Sequence, residues 1–291
     1  MKIVKIKGGL GNQLFQYSFA RLLQQKTGDT VKLDMSAYND TLDDPIRQPR
    51  LLKFNIPLEV AIDKEIRNKC LLKHKGHLLT TQYRLGIAAE ALFNPKYYFE
   101  KDRRYRAIEK IKKFDYFDGY WQSWKHVDEV WNVLKKDLVP RNNLNFATIN
   151  MIEKVSAQQS VFIGVRRGDY QEHSDHWGTF TQEYYSKAVN YICERIENPV
   201  FYVFSNDISW VKKNLVFDGK NVIYREPYDV IDDFDDLLIM ANCKHSIIIN
   251  STFHWWGAQF NYYHGKIVVA PKKWFFDGKL IDIIPPKWKM I

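Results

Sequence analysis

The chain has 291 residues, 45% hydrophobic and 26% charged, the balance of an ordinary soluble globular protein, which excludes disorder, collagen and coiled coil as whole-chain readings. No apolar run approaches the ~18–20 residues needed to span a bilayer, and Met1–Gly9 lacks the apolar stretch of a signal peptide, so the expected location is the cytoplasm. Net charge is +9, which favours an anionic partner, while Cys70, Cys193 and Cys243, odd in number and widely spaced, fit neither a disulfide framework nor a zinc site.

The length suggests two domains, or one large one. Lys2 to Ile6 alternates charged and apolar residues as a half-buried strand does, and Gly8-Gly9-Leu10-Gly11 follows. Asn12 is a candidate N-cap for an amphipathic helix in which Leu14/Phe15, Ser18/Phe19 and Leu22/Leu23 recur every four residues, with Gly28 just past its end. Thr30 to Leu33 reads as a second strand ending at Asp34. This strand–loop–helix–strand unit admits three readings: a dinucleotide site with Asp34 on a ribose, a tight turn that only starts a helix, or a loop that brings backbone close to another ligand. Leu14 stands where the dinucleotide fingerprint needs its third glycine. Lys101 to Lys113 carries seven Lys/Arg and two acids, either a solvated face or a patch for an anionic membrane or phosphate-bearing acceptor. The aromatic run Tyr116 to Trp124 reads mainly as core, the alternative for some of its rings being the lining of a sugar-binding cleft.

From Val161 onward, apolar runs alternate with helical stretches: Val161–Val165, Thr181–Glu194, Val200–Phe204, Ile208–Leu215, Asn221–Tyr224, Asp232–Cys243, Ser246–Ile249, Thr252–Tyr262 and Lys266–Val269. That alternation predicts right-handed crossovers and a parallel sheet. Ligands of such sheets bind beyond the carboxyl ends of the strands. Arg166-Arg167-Gly168-Asp169, Ser205-Asn206-Asp207, Asn250-Ser251-Thr252 and Pro271-Lys272-Lys273 all fall there. Two arginines match a diphosphate in charge and fork geometry. Ser251 and Thr252 at a helix start suit a phosphate, and the Asp207 carboxylate suits the N–H edge of guanine. The acids Asp232, Asp233, Asp235 and Asp236 resemble a metal-holding run, but they fall at a helix start where carboxylates are favourable in any case, so no metal is expected.

Taken together, the motifs resemble those of the α-1,2-fucosyltransferase family, glycosyltransferase family 11. They are Gly8 through Tyr17, Val165-Arg166-Arg167-Gly168-Asp169-Tyr170, Phe204-Ser205-Asn206-Asp207, Asp236 through Ala258, and Ala270-Pro271-Lys272-Lys273-Trp274, all in family order. Three positions depart from the family pattern: Gly164 in place of His, Asn206 in place of an acid, and His254 in place of Ser.

The resemblance implies an α/β, GT-B type fold of two Rossmann-like domains facing across a cleft. An acceptor-side domain would occupy 1–150 and a donor domain 151–291, with the last residues packing back on the first. It implies GDP-β-L-fucose as co-substrate with no cofactor, and inverting transfer to the 2-hydroxyl of a β-galactoside in a surface glycan. Arg166 would meet the charge on the departing diphosphate, with Arg167 ion-paired beside it. Arg166, Arg167, Ser205, Asp207, Asn250, Ser251 and Thr252 would hold the donor. Gly9, Gly11, Asn12 and Gln13 would face the acceptor, and Asp169, Glu172 and Asp175 are candidate bases. Transfer with a different linkage, a dinucleotide oxidoreductase and a non-catalytic glycan-binding protein are the alternatives. Nucleic acid is not an expected partner, because the basic charge is interrupted and no nucleic-acid motif occurs.

Overall fold

Two parallel sheets organise the chain in a computed structural model that describes residues 1–39, 48–70, 81–102, 104–167, 181–226, 233–276 and 281–291. The chain divides into two compact units, Met1–Arg141 with Ile281–Ile283, and Asn142–Leu280 with Ile284–Ile291.

In the first unit the elements are β1 (Lys2–Lys5), α1 (Leu10–Thr27), β2 (Val31–Asp34), α2 (Asp63–Arg67), α3 (Thr81–Phe93), β3 (Tyr97–Phe99), α4 (Ile108–Ile111), β4 (Tyr116–Asp118) and α5 (Trp124–Asp137). The strands lie in the order β2-β1-β4-β3, all parallel. Helix α1 begins at Leu10 with Gly9 as its N-cap, so Asn12 is inside the first turn rather than capping it. The helix closes at Gly28, whose φ of 70° is the left-handed conformation that glycine adopts without a Cβ penalty.

α1 is not amphipathic along most of its length. Leu10, Gly11 and every residue from Gln13 to Ala20 are buried, as are Leu22 and Leu23. Ser18 donates to the Leu14 carbonyl at 2.7 Å, and Tyr17 and Arg21 each donate to Asp137 of α5 at 2.6 Å, so these polar groups are bonded where they meet the core. The aromatic run that begins in β4 is mainly core, with Tyr116, Phe117 and Trp121 buried and Trp121 stacked on Phe19 at 3.7 Å, while Tyr120 and Trp124 are half-buried.

The second unit comprises α6 (Phe146–Ala157), β5 (Ser160–Val165), α7 (Gln182–Cys193), β6 (Val200–Ser205), α8 (Ile208–Asn214), β7 (Asn221–Tyr224), α9 (Asp233–Asn242), β8 (His245–Ile247), α10 (Thr252–Gln259), β9 (Val268–Ala270) and β10 (Lys289–Met290). Strand order is β10-β9-β8-β5-β6-β7, again all parallel. The core gathers Val161, Ile163, Phe201, Val203, Ile247 and Val269 from the sheet with Tyr185, Val189 and Ile192 from α7.

The division between units falls at Arg141, ahead of α6, and not at 150. Asn145 caps α6 by accepting from Thr148 N–H at 2.8 Å, and the Thr148 hydroxyl donates to Asp235 of α9 at 2.9 Å. These bonds seat α6 on the second unit. The chain end also departs from expectation. β10 extends the second sheet beside β9, and Ile281–Ile283 alone joins the first unit. All three cysteines are free thiols.

Candidate active site

Each sheet has a point where the chain reverses the direction in which it adds strands, and the loops leaving adjacent strands part there to open a crevice. In the second unit this point lies between β5 and β8. Arg166 and Arg167 leave β5, and Asn250, Ser251 and the first turn of α10 follow β8. The structure therefore brings the arginine pair and the Asn250–Thr252 segment to the same sheet edge. Ser251 is the N-cap of α10, yet its hydroxyl makes no capping bond. The positive end of the α10 helix dipole lies at this edge, where an anion is favoured.

Arg167 is held differently from the expected ion pair. Its guanidinium lies 3.7 Å from the Trp210 ring centroid, a cation–π stack on α8. Its backbone N–H donates to Asn206 Oδ1 at 2.9 Å, which ties the end of β5 to the end of β6. Asn206, the neutral departure from the family pattern, therefore braces the arginine loop. Asp207 is the N-cap of α8, with Oδ1 accepting from Trp210 N–H at 2.9 Å, and its own N–H donates to Ser205 Oγ at 3.0 Å. Asn250 is buried and donates to the Trp274 carbonyl at 2.8 Å, which fixes the 271–276 segment against the β8–α10 connection. Asp169, Glu172 and Asp175 lie outside the described residues.

Of the acidic run, Asp232 also lies outside the described residues. Asp235 receives the Thr148 hydroxyl, and Asp236 pairs with Arg225 at 3.1 Å. Burial pushes the Asp236 carboxyl up to about 6 against the pull of Arg225.

The first unit has its own reversal point, between β1 and β4. The glycine loop leaves β1, and Gly119–Gln122 leaves β4. Asn12 Oδ1 accepts from Gln122 Nε2 at 2.8 Å, so Asn12 joins the loop that leaves β1 to the one that leaves β4. Gly9 is half-buried at the start of α1, and Gly11 is buried within it. Gly8 has φ +79°, and a Cβ there would stand 2.8 Å from Asn12 Nδ2.

Gln13 does not face a ligand. It is fully buried, donates to the carbonyls of Gly8 and Gln48 at 2.9 and 2.7 Å, and accepts from Leu51 N–H at 2.8 Å. Its amide fastens the 48–51 segment to the glycine loop. Asp34 is likewise engaged, accepting from Ser36 N–H and from the Tyr116 hydroxyl, so it does not serve a ribose.

Four further residues meet at this edge without a signal in the sequence: Lys7, Glu100, Asp118 and Gln122. Lys7 and Asp118 form a buried ion pair, which Tyr97 O–H completes at 2.9 Å from Asp118. Glu100 accepts from Tyr120 and Trp121 N–H at 2.6 and 3.0 Å. Trp121 has φ +54°, a strained conformation for a bulky residue, and its stack on Phe19 and the Glu100 bond hold it there. Glu100 and Asp118 lie at the ends of three-residue strands and Gln122 in the loop after β4, where no periodicity marks them.

The model of the family described as Glycosyl transferase family 11 matches residues 88–291. The chain belongs to that family. It is 31% identical to an α-1,2-colitosyltransferase of Escherichia coli over 99% of this chain and 98% of the relative. It is 28% identical to the O-antigen biosynthesis glycosyltransferase WbnK of Escherichia coli, over 97% and 98% of the two chains. Among solved structures, the fucosyltransferase NodZ from Bradyrhizobium aligns with TM-score 0.50 at 14% identity, over 88% of this chain and 90% of that one. The family 11 chain thus has the GT-B type of α/β fold that its motifs implied.

The basic segment 101–113 contains α4, whose Ile108 and Ile111 are buried. Lys110, Lys112 and Lys113 line a surface cavity of about 450 Å³ with Lys26, Asp29 and Glu109. Among the described residues no helix is long and apolar enough to cross a membrane.

Proposed function

We propose that this glycosyltransferase moves L-fucose from GDP-β-L-fucose to the 2-hydroxyl of a β-galactoside, with inversion to an α-linkage. The carrying observation is the meeting of Arg166, Arg167 and the uncapped first turn of α10 at one crevice in a family 11 chain. A departing GDP concentrates negative charge on its β-phosphate. A guanidinium and helix-end N–H groups fixed in advance stabilise that charge without reorganising. The acceptor attacks the face opposite GDP, which inverts the anomeric centre. Asn12 and Gln122 orient the acceptor at the edge of the first unit. The reading includes catalysis without a divalent metal and a peripheral contact of the 101–113 segment with anionic membrane. A second reading, with colitose in place of fucose on the donor, is favoured by the relative that matches 99% of this chain. Colitose is fucose without its 3-hydroxyl, so the same diphosphate site serves both.

The test is transfer from GDP-fucose and GDP-colitose to a panel of β-galactosides, with linkage analysis and a parallel reaction in excess EDTA. An α-1,2 product that persists in EDTA is expected. No transfer from either donor sinks the reading, and loss on chelation with recovery on Mn²⁺ revives the Asp233–Asp236 run as a metal site.

Asp207 is the residue proposed to read guanine, and its capping bond makes the test clean. Asparagine caps a helix about as well as aspartate, so Asp207→Asn is expected to keep its thermal stability. It offers guanine one acceptor and one clashing donor, so GDP affinity should fall by about 2–5 kcal/mol. Calorimetry with GDP, ADP and UDP decides. An unchanged margin of GDP over ADP removes Asp207 from base recognition.

A further inference from the structure

Helix α3 turns its apolar side chains outward. From Leu85 to Phe93 its buried positions are Ile87 and Glu90, while Leu85, Leu92 and Phe93 are 65%, 74% and 73% exposed, with Ala88 and Ala91 exposed beside them. Glu90, the one charged residue of this stretch, points inward, where its carboxylate accepts from Asn94 Nδ2 at 2.8 Å and from the Cys70 thiol at 3.4 Å. Leu85, Ala88 and Leu92 recur at helical spacing and form one stripe on the side away from Ile87 and Glu90. A helix that faces water places its charges on that side. Residues 85–93 place none there, and an apolar stripe of this kind marks an interaction surface.

The surrounding charge selects the partner. α3 runs through Asn94–Lys96 into β3, the edge strand of the first sheet. The N–H groups of Asp115 and Tyr116 donate to the Lys96 carbonyl at 2.8 and 3.0 Å, and Asn94 Nδ2 donates to the Lys69 carbonyl at 2.9 Å. The Lys2 ammonium donates to the carbonyls of Lys112 and Phe114 at 2.6 and 2.7 Å. The end of α3 and the turn from α4 into β4 therefore stand together where β1, β3 and β4 begin. Lys96, Lys110, Lys112 and Lys113 are exposed at this edge, the last three lining the surface cavity. The acids here are Asp29, Glu109 and Asp115, and Asp115 is paired with Lys69 at 2.6 Å. An exposed apolar helix beside an excess of lysines is the composition of an element that lies in the interface of an anionic bilayer. A second copy of this chain fits less well, because a two-fold contact sets the same lysines against each other. The glycine loop leaves the opposite end of β1, so a bilayer on this edge keeps that loop open.

We infer that α3 is a membrane-docking helix that seats Leu85, Leu92 and Phe93 in the headgroup–acyl boundary of an anionic bilayer while Lys96, Lys110, Lys112 and Lys113 meet the lipid phosphates. The inference deepens the proposed contact of the 101–113 segment with anionic membrane and rests on it.

Flotation of the full chain with vesicles tests it, using phosphatidylcholine alone and phosphatidylcholine with phosphatidylglycerol in equal parts, at low and high salt. Wild type should bind the phosphatidylglycerol vesicles, and less as salt rises. Leu92→Gln with Phe93→Gln should lower that affinity about 10-fold or more, the scale for withdrawing two apolar side chains from the bilayer, and the binding that remains should keep its salt dependence. Lys112→Gln with Lys113→Gln should also cost about 10-fold or more and should flatten the salt dependence. Both variants should melt as wild type does, because the substituted side chains face outward, and should transfer sugar to a free β-galactoside at the wild-type rate. Unchanged vesicle binding by a folded Leu92→Gln/Phe93→Gln variant overturns the inference, and a loss in the lysine variant alone then leaves the 101–113 contact standing without α3. If the first variant does not fold, unchanged binding in Leu85→Gln overturns it. A wild type that ignores both vesicles overturns the inference and the 101–113 contact together. A dimer of wild type that Leu92→Gln with Phe93→Gln breaks, seen by sedimentation, overturns the inference in favour of a second copy.

Discussion

Arg166→Ala is expected to lower kcat by about 10²–10³-fold, the scale for removing a main stabiliser of transition-state charge. Arg166 leaves the end of β5 at the reversal point of the second sheet, and its charge already reaches His254 across the same crevice. Arg167 is committed elsewhere, stacked on Trp210, so it does not substitute. The Asn206 bond to the Arg167 backbone sets the loop, and a truncated side chain at 166 leaves that frame intact. The loss should therefore appear in turnover more than in KM. Arg166→Lys should rescue little, because an ammonium lacks the planar fork that grips two phosphate oxygens at once. Single-turnover transfer from the GDP-sugar measures the chemical step directly. Turnover near wild type in the alanine variant removes Arg166 from the mechanism.

The edge of the second unit is legible in the sequence because parallel strands buried on both faces are continuous apolar runs. β5 and β6 are such runs, with α7 between them, and β7 follows α8 as a half-exposed edge strand. Once strand ends are fixed, the residues just beyond them are fixed too, which is how Arg166, Asp207 and Ser251 stand out together. The first unit is harder to read. β3 and β4 are three residues each and largely aromatic, too short to alternate. α5 does carry a helical signal in Val127, Val130 and Leu134, all buried, though the aromatic run before it hides its start. Gln13 and Asp34 mislead for one reason. A polar side chain beside a glycine loop looks like a ligand group until the tertiary structure shows a carbonyl or a tyrosine already bonded to it. His254 is the reverse case. Its departure from the motif is visible in the sequence, but only the structure shows the ring filling the space in front of Gly164, where a Cβ would stand 2.3 Å from Nδ1.

The two reversal points are built from unlike materials. The edge in the second unit keeps its cations near the surface, with Arg166 and Arg167 half-buried and no capping bond from the Ser251 side chain on α10. The edge in the first unit instead locks its charges together inside. Lys7, Asp118 and Glu100 are buried, and each is bonded to a neighbour. That arrangement fixes the glycine loop and the strained Trp121 segment in place, and Gln122 bonds Asn12 across the two loops.

Asp118→Ala is accordingly expected to destabilise the first unit by about 3–5 kcal/mol, the cost of leaving a buried charge without its partner. Lys7 has 3% of its side chain exposed and Asp118 none, and Tyr97 O–H supplies the carboxylate with a further bond at 2.9 Å. The alanine strands the Lys7 ammonium between β1 and β4 and orphans the tyrosine hydroxyl. Replacing both ions by apolar residues, Lys7→Met with Asp118→Leu, should recover most of the loss, because no unpaired charge remains. The same pair gives a pH signature. Although burial opposes ionisation, Lys7 and Lys5 hold the Asp118 carboxyl down at about 2, against 3.8 for the free group. Its folded pKa is depressed, so its stabilisation is present above pH 3.8 and is lost as pH falls from there through about 2. Across that window wild type should lose up to about 1.4 kcal/mol per pH unit from this group, a slope that Asp118→Ala lacks. Urea melts at pH 7, 4 and 2.5, followed by fluorescence and by proteolysis of each unit, give both results. A variant as stable as wild type at pH 7, or one with the same acid slope, shows that the pair does not hold β1 to β4.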